Sequence, residues 1–529
     1  MATLLANLVI NFLVLVIKVA ADDPTSWCNQ TPYPQVCSSM LENEIAKSIS
    51  QSDFRDVLLR ATTARTVLAL RQISSMDRTL LDKPAKAAFA DCLELYNDTI
   101  SRLQLSMRSS SSIEDSQTWL SAAKANERTC RDGFAELGST FPLASSSFVT
   151  NHLSESLSNM LAVNIGTPRD KPPPKNRRLL SHEFPQWVKA ADRKLIQAGV
   201  NIKPDLVVAK DGSGNYKTIS EAVAASVNRR QGTSRFVIYV KAGVYKETVD
   251  IATNMKNLMM FGDGKDATIV TGSKNFVDGT PTFDTATFRK FSLIKTLGVN
   301  GDGFIAQDMS FENTAGPEKH QAVALRSSAD RSVFYRCSFK GYQDTLYIHS
   351  NRQFYRDCDI YGTLDFIFGD AAVVLQKPKI YVRKPMAKQK NTVTAQGRDD
   401  FNENTGIVMH AAVVMAAPDL KPVQGSFQTF LGRPWRQYSR TVYLLSTLDD
   451  LIDPAGWLAW NETMSVSNLY YAEFQNKGDR ADTSKRVNWQ GYHVLKTDQE
   501  AEPFTAGKFL SGDSWIPATG VPYASGLSV

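Results

Sequence analysis

Apolar residues recur at helical spacing through the first third of the chain. Between Glu42 and about Val163 glycine and proline are sparse, and Phe89, Leu93, Tyr96, Ile100, Leu103 and Met107 follow one another three or four positions apart. Side chains at that spacing share one face of a helix, so the stretch predicts about four amphipathic helices packed as a bundle. The pattern changes from Asn164 to Glu183, where NIGTPRDKPPPKNRRLLSHE carries three consecutive prolines and a basic cluster. Such a run favours an extended, exposed linker. After Asp205 the text turns into short β-branched and aromatic runs, RFVIYVKAGVY, SVFYRCSFKGY and RQFYRDCDIYG among them, separated by Gly, Asn and Asp. That is an all-β pattern.

Two of these runs are near copies. Phe334-Tyr335-Arg336-Cys337 returns as Phe354-Tyr355-Arg356 followed by Cys358, and the apolar positions after each motif, Phe311, Phe339, Ile360 and Ile380, stand 28, 21 and 20 residues apart. A period near 20 suits one coil of a solenoid, whereas a propeller blade needs longer repeats. The expected fold is an N-terminal all-α four-helix bundle followed by a C-terminal all-β, right-handed parallel β-helix. Stacked coils explain how so long a segment forms one domain without a spherical core. The expected layout is a leader over 1–21, a bundle over 22–165, a linker over 166–182 and the β-helix over 205–522.

Composition narrows the class. The 529 residues are 43% hydrophobic and 22% charged, which excludes an intrinsically disordered chain and a polytopic membrane protein. The net charge of +6 favours an anionic partner weakly and does not imply nucleic acid. Leu4 to Ile17 is almost wholly apolar and ends near the small residues Ala20 and Ala21. It is short of the ~20 residues of a spanning helix and reads as a secretory leader, with an uncleaved anchor as the alternative. Asn29, Asn97 and Asn461 each open an Asn-x-Ser/Thr triplet, a glycan acceptor in a secreted chain. The six cysteines fall into three local pairs, Cys28 with Cys37, Cys92 with Cys130 and Cys337 with Cys358, which fits disulfides better than zinc because neither a Cys-x-x-Cys nor a His-x-x-x-His pair occurs. Arg177-Arg178-Leu179-Leu180 on an extended segment reads either as a protease processing site or as a solvated basic linker.

In a solenoid, residues one period apart stack on adjacent coils about 5 Å apart. Cys337 and Cys358 lie 21 positions apart, as do Asp344 in GYQDTLY and Asp365 in GTLDFIFG. One register therefore predicts a disulfide on one side of two coils and a carboxylate pair on the same two coils. Gln321 lies 22 residues before Gln343, which would stack an amide near the acids. Tyr342, Tyr347, Phe366 and Phe368 supply an aromatic surround able to exclude water and raise the pKa of one acid. A structural Asp ladder or a calcium site competes with this reading. The amides favour catalysis, since their N–H groups can receive the negative charge that an ester carbonyl develops. Gly262 to Ala267 matches a dinucleotide loop only superficially, no Gly-x-Ser-x-Gly elbow occurs, and His320, His349 and His410 read as structural or surface residues.

At KDGSGNYKTI, GPEKHQAVALR, GYQDTLY, GTLDFIFG, VTAQGR and LGRPW, across roughly Asp205 to Pro522, the sequence resembles plant pectin methylesterases. The leading part, with CNQTPYPQVC and the later Cys92 and Cys130, is similar to the invertase and pectin methylesterase inhibitor family. The resemblance implies hydrolysis of galacturonan methyl esters to pectate and methanol, with Asp365 as nucleophile and Asp344 as acid/base. It makes Gln343 and Gln321 oxyanion-stabilising and substrate-contacting amides, Arg433 the group that orients the nucleophile, and Trp435 and Thr282 substrate contacts. It implies no metal and no cofactor, a monomer in the cell wall, pectin as partner, a subtilisin-like processing protease, and a pro-region or a separate inhibitor protein acting on the enzyme. The chain departs from the family where Arg289 to Leu297, RKFSLIKTL, reads as an insertion between Phe288 and Gly298. The insertion is either a surface loop or a disturbance of the coil near Thr282. A catalytically impaired pectin-binding protein and another β-helix pectin-degrading enzyme therefore stay open as alternatives.

Overall fold

The structure, a computed structural model, describes residues 24–41, 51–77, 79, 81–136, 138, 152–166, 203–229, 234–252, 255–291 and 302–528. The leader and the Arg177 to Leu180 run lie outside them. No helix among the described residues is long and apolar enough to cross a membrane.

The helical part begins with two short helices, α1 (Pro24–Cys28) and α2 (Pro34–Leu41), joined by the Cys28–Cys37 disulfide. Four longer ones follow: α3 (Gln51–Ser74), α4 (Lys83–Ser106), α5 (Ile113–Glu136) and α6 (Leu153–Gly166). Asp82 starts α4 by accepting the Ala85 amide at 2.8 Å, with Pro84 in the first turn where its missing N–H costs nothing. Of the predicted stripe, Phe89, Tyr96, Ile100 and Leu103 are buried in the bundle, whereas Met107 is exposed because α4 ends at Ser106. The Cys92–Cys130 disulfide ties α4 to α5, as expected for neighbouring antiparallel helices.

The second part is a parallel β-helix of three sheets, with eleven, seven and eight strands. Helix α7 (Ile219–Arg229) turns Ile219, Ala222 and Val223 into its core. The ladder confirms the period: Phe311 pairs with Phe339, Phe339 with Ile360 and Ile360 with Ile380, and all four are fully buried. Phe311 and Phe339 stack face to face 5.7 Å apart, and Phe334 and Tyr355 do so at 4.7 Å. Each of these columns puts an apolar side chain directly over its equivalent on the next coil, so every coil is the template for its neighbour. The corner after the eleven-stranded sheet is turned by a single left-handed residue. Arg336, Asp357, Lys377, Ala411, Leu445 and Gln475, each directly after a strand, have φ between 46 and 54°.

Two expectations are corrected. Cys337 and Cys358 stack as predicted but are free thiols, both buried in the β-helix core. In-register parallel neighbours carry their Cβ atoms side by side at about the strand spacing of ~4.8 Å, beyond the ~3.8 Å typical of a disulfide. The residues read as inserted after Phe288 are not all loop either: Phe288–Phe291 is a strand paired on both sides, with Val249–Ala252 and with Leu325 and Arg326. Arg289, Lys290 and Phe291 thus belong to the seven-stranded sheet, and 292–297 lie outside the described residues.

Candidate active site

The seven-stranded sheet carries the chemistry on its outer side. Leu346 pairs with Ile367 and Tyr347 with Phe368, so Asp344 and Asp365, each two residues ahead of its strand, occupy equivalent places on adjacent coils. Both adopt left-handed backbone, φ 62° and 51°, a conformation uncommon for non-glycine residues and frequent at functional sites. Arg433, in the strand Thr429–Pro434, grips Asp365 as a fork. Its Nε donates to Oδ1 at 2.8 Å and to Oδ2 at 3.1 Å, and its Nη2 donates to Oδ2 at 2.6 Å. The guanidinium also lies over the Trp460 ring, 4.2 Å from its centroid. Asp344 forms no ion pair among the described residues, and Arg433 acts on it only at a distance. Burial, then the neighbouring Asp365 and Glu136 charges, push its pKa well above the ordinary carboxylate range. Two carboxyls of one type thereby sit in different electrostatic settings, one held by a guanidinium and one buried beside like charge.

A cavity of about 290 Å³ opens onto the pair. Gln321, Gln343, Thr282, Arg433 and Trp435 all line it, so every predicted catalytic or substrate-contacting residue converges on one site. Gln343 Oε1 is buried without a hydrogen-bond partner among the described residues. Gln321 is a near miss in register: the pairing of Leu325 with Leu346 sets it opposite Tyr342 rather than Gln343, although both amides reach the cavity. Tyr347 and Phe368, stacked 4.2 Å apart, form the aromatic wall with Trp435 edge-on at 6.0 Å. The other two predicted aromatics do not join it. Phe366 points into the β-helix core, and Tyr342 lies under Arg383, whose Cζ is 3.7 Å from the ring centroid. The three predicted glycan acceptors, Asn29, Asn97 and Asn461, are exposed.

Comparison with known proteins places this geometry. The Pectinesterase family model matches residues 205–513, and the Plant invertase/pectin methylesterase inhibitor model matches 22–163. The chain belongs to the pectinesterase family. It is 49% identical to probable pectinesterase/pectinesterase inhibitor 17 of Arabidopsis thaliana over 98% of this chain and 99% of the relative. Pectinesterase 2 of Citrus sinensis is 48% identical, covering 96% of this chain and 95% of the other. Among solved structures, pectin methylesterase from carrot superposes with a TM-score of 0.59 at 52% identity, over 62% of this chain and 99% of the carrot chain. That share of the chain is the size of the β-helix, so the carrot protein stands as a folded chain of about that length.

In this pectinesterase the bundle sits on the site. Thr129, Asp132, Gly133 and Glu136, from the last two turns of α5, complete the lining of the cavity. Glu136 accepts the Thr282 amide at 3.3 Å, and its pKa is raised, by burial first and by Asp132 among its neighbours. Asp132 pairs with Arg436 at 2.6 Å and Arg128 with Asp370 at 2.7 Å. Asp115, at the other end of α5, holds Arg352 at 2.7 Å, and the Trp119 indole donates to Asp330 at 3.1 Å. Buried apolar side chains of the bundle run continuously into Phe283, Val323, Tyr347 and Phe368 of the β-helix. Sequence reasoning places the bundle and the site separately and misses the residues that join them. No periodicity links α5 to Arg436 or Asp370, more than 200 positions away in sequence.

Proposed function

We propose that this pectinesterase hydrolyses the C6 methyl esters of galacturonan in the plant cell wall, and that its helical domain keeps the site closed until the two parts separate. The observation that carries the reading is the unequal treatment of the two stacked acids: Asp365 is held in the fork of Arg433, while Asp344, buried and beside the Asp365 charge, has its pKa pushed up, which favours its protonated form. Asp365 attacks the ester carbon, and the charge arising on the carbonyl oxygen is received by the amide N–H groups of Gln343 and Gln321. As the intermediate collapses, Asp344 gives its proton to the departing methoxide, and methanol leaves. Asp344, now a carboxylate, takes a proton from water, whose oxygen attacks the acyl carbon and frees Asp365. Trp435 and Thr282 position the sugar.

The partners fit the same reading. Methylesterified pectin is the substrate, secretion to the wall follows from the leader, with glycans at Asn29, Asn97 and Asn461, and a subtilisin-like protease cuts at Arg177 to Leu180. The helical domain, or a separate inhibitor protein of the same family, occupies the cleft that pectin needs. Replacing Asp365 with Ala in the β-helix part should lower methanol release from pectin by at least ~10³-fold while leaving the thermal unfolding transition in place. Methanol release at the parental rate would remove Asp365 from its role, and pectin binding without methanol release by the unaltered β-helix would make the protein a binding module.

A further inference from the structure

The nucleophile has a second partner that neither the sequence period nor the family motifs single out. Thr392 opens the next coil, in the strand Asn391–Gln396, and is fully buried. Its hydroxyl bonds the same aspartate twice: it accepts the Asp365 main-chain N–H at 2.9 Å and donates to Asp365 Oδ1 at 2.6 Å. A single side chain thus ties the backbone of the nucleophile, in its left-handed conformation, to its own carboxylate.

The two carboxylate oxygens are left unequal. Oδ1 accepts the Thr392 hydroxyl and Arg433 Nε at 2.8 Å, which uses both of its in-plane lone pairs. Oδ2 receives the short Nη2 bond at 2.6 Å and only the longer arm of the shared Nε contact, at 3.1 Å. The geometry points to Thr392 as a positioning residue that saturates Oδ1 and so assigns the attack on the ester to Oδ2. In that step a lone pair of Oδ2 forms the new bond to C6 and the carbonyl π pair moves onto its oxygen. The pair returns as the bond to methoxide breaks, and methoxide takes the Asp344 proton. Without the hydroxyl, Asp365 keeps only the Arg433 fork, Oδ1 regains a free lone pair that competes with Oδ2 for the ester carbon, and the Asp365 amide loses its acceptor. The expected penalty falls on the chemical step rather than on substrate binding.

The inference rests on Asp365 being the nucleophile, and the test separates the two. In the β-helix part, Lys203 to Ser528, methanol release is measured for the parent, Asp365→Ala, Thr392→Val and Thr392→Ser. Val keeps the shape and removes the hydroxyl, so kcat should fall ~10- to 100-fold with KM within about twofold of the parent, and Ser should restore most of kcat. A Val variant within about twofold of the parental kcat, or a loss that Ser does not repair, overturns the role of Thr392. Should Val fail to fold, Thr392→Ala against Thr392→Ser gives the same contrast. An active Asp365→Ala variant instead overturns the nucleophile. Loss with Asp365→Ala and none with Thr392→Val would leave the nucleophile standing and Thr392 without a part in it.

Discussion

The bundle and the β-helix hold together by opposite means. The bundle sets helices of up to 24 residues side by side and fixes them at two points with disulfides, Cys28–Cys37 and Cys92–Cys130. The β-helix leaves its only two cysteines as thiols one above the other and draws its order from ladders such as Phe311, Phe339, Ile360 and Ile380. A helix satisfies its own backbone and meets its neighbours only through side chains, so in a small domain a covalent tie removes much of the unfolded freedom. In the solenoid both the backbone bonds and the side-chain stacks run from coil to coil, and a cross-link adds little that the ladder does not supply.

That contrast can be broken from the β-helix side first. Phe339→Ala opens a hole in the middle of a stacked column and should cost about 4 kcal/mol in denaturant unfolding of the β-helix. The bundle's transition should not move. From the other side, replacing Cys92 and Cys130 with Ser together should cost the bundle about 3 kcal/mol, read from its helical circular dichroism on heating, and leave the β-helix transition alone.

A smaller effect concerns the seam between them. Asp91 and Glu94 on α4 are buried against Arg326 and Arg289 of the β-helix, and Asp91 accepts no hydrogen bond among the described residues. Burial is the first cause that pushes their pKa values up to about 8 and about 7, the arginines pulling the other way and Glu136, Asp98 and Asp250 adding to the rise. Groups raised in the docked state bind protons there that the parted or unfolded state has given up. Their contribution is therefore complete below the ordinary carboxylate range and is lost as pH climbs through about 7 to 8. The helical transition of the intact chain should weaken as pH rises from 5 to 8, followed by thermal scans at matched salt. Asp91→Asn should flatten the slope. Least of all should reductant matter to the β-helix: dithiothreitol should lower the bundle's melting temperature and shift that of the β-helix by less than about a degree, and a larger shift would mean that Cys337 and Cys358 pair in solution.

The solenoid was legible because its period is carried by side chains that the ladder must align. Phe339 and Ile360 announce the register, and Asp344 and Asp365 follow it. The same reasoning overreached at Cys337 and Cys358, since a repeat says which residues stack but not whether their sulfurs turn towards each other. It also could not reach Thr392. The coil between Asp365 and Thr392 is longer, with Ile367 pairing to Thr394 rather than to a residue 21 positions on, so a fixed period points to the wrong place. The four helices were legible from their apolar stripes, whereas the placement of Glu136 in the cavity arises from surface fit between domains and leaves no trace in either pattern.

The grip of α5 on the cleft has a consequence for timing. While the linker is intact the bundle is tethered at an effective concentration in the millimolar range, so reopening is followed by rapid return. Severing the chain would leave every contact of Asp132, Arg128 and Asp115 in place. It would remove only the tether, so that escape becomes a matter of dilution and off-rate. Release of the β-helix would then lag behind any such cut, by an interval set by the seam.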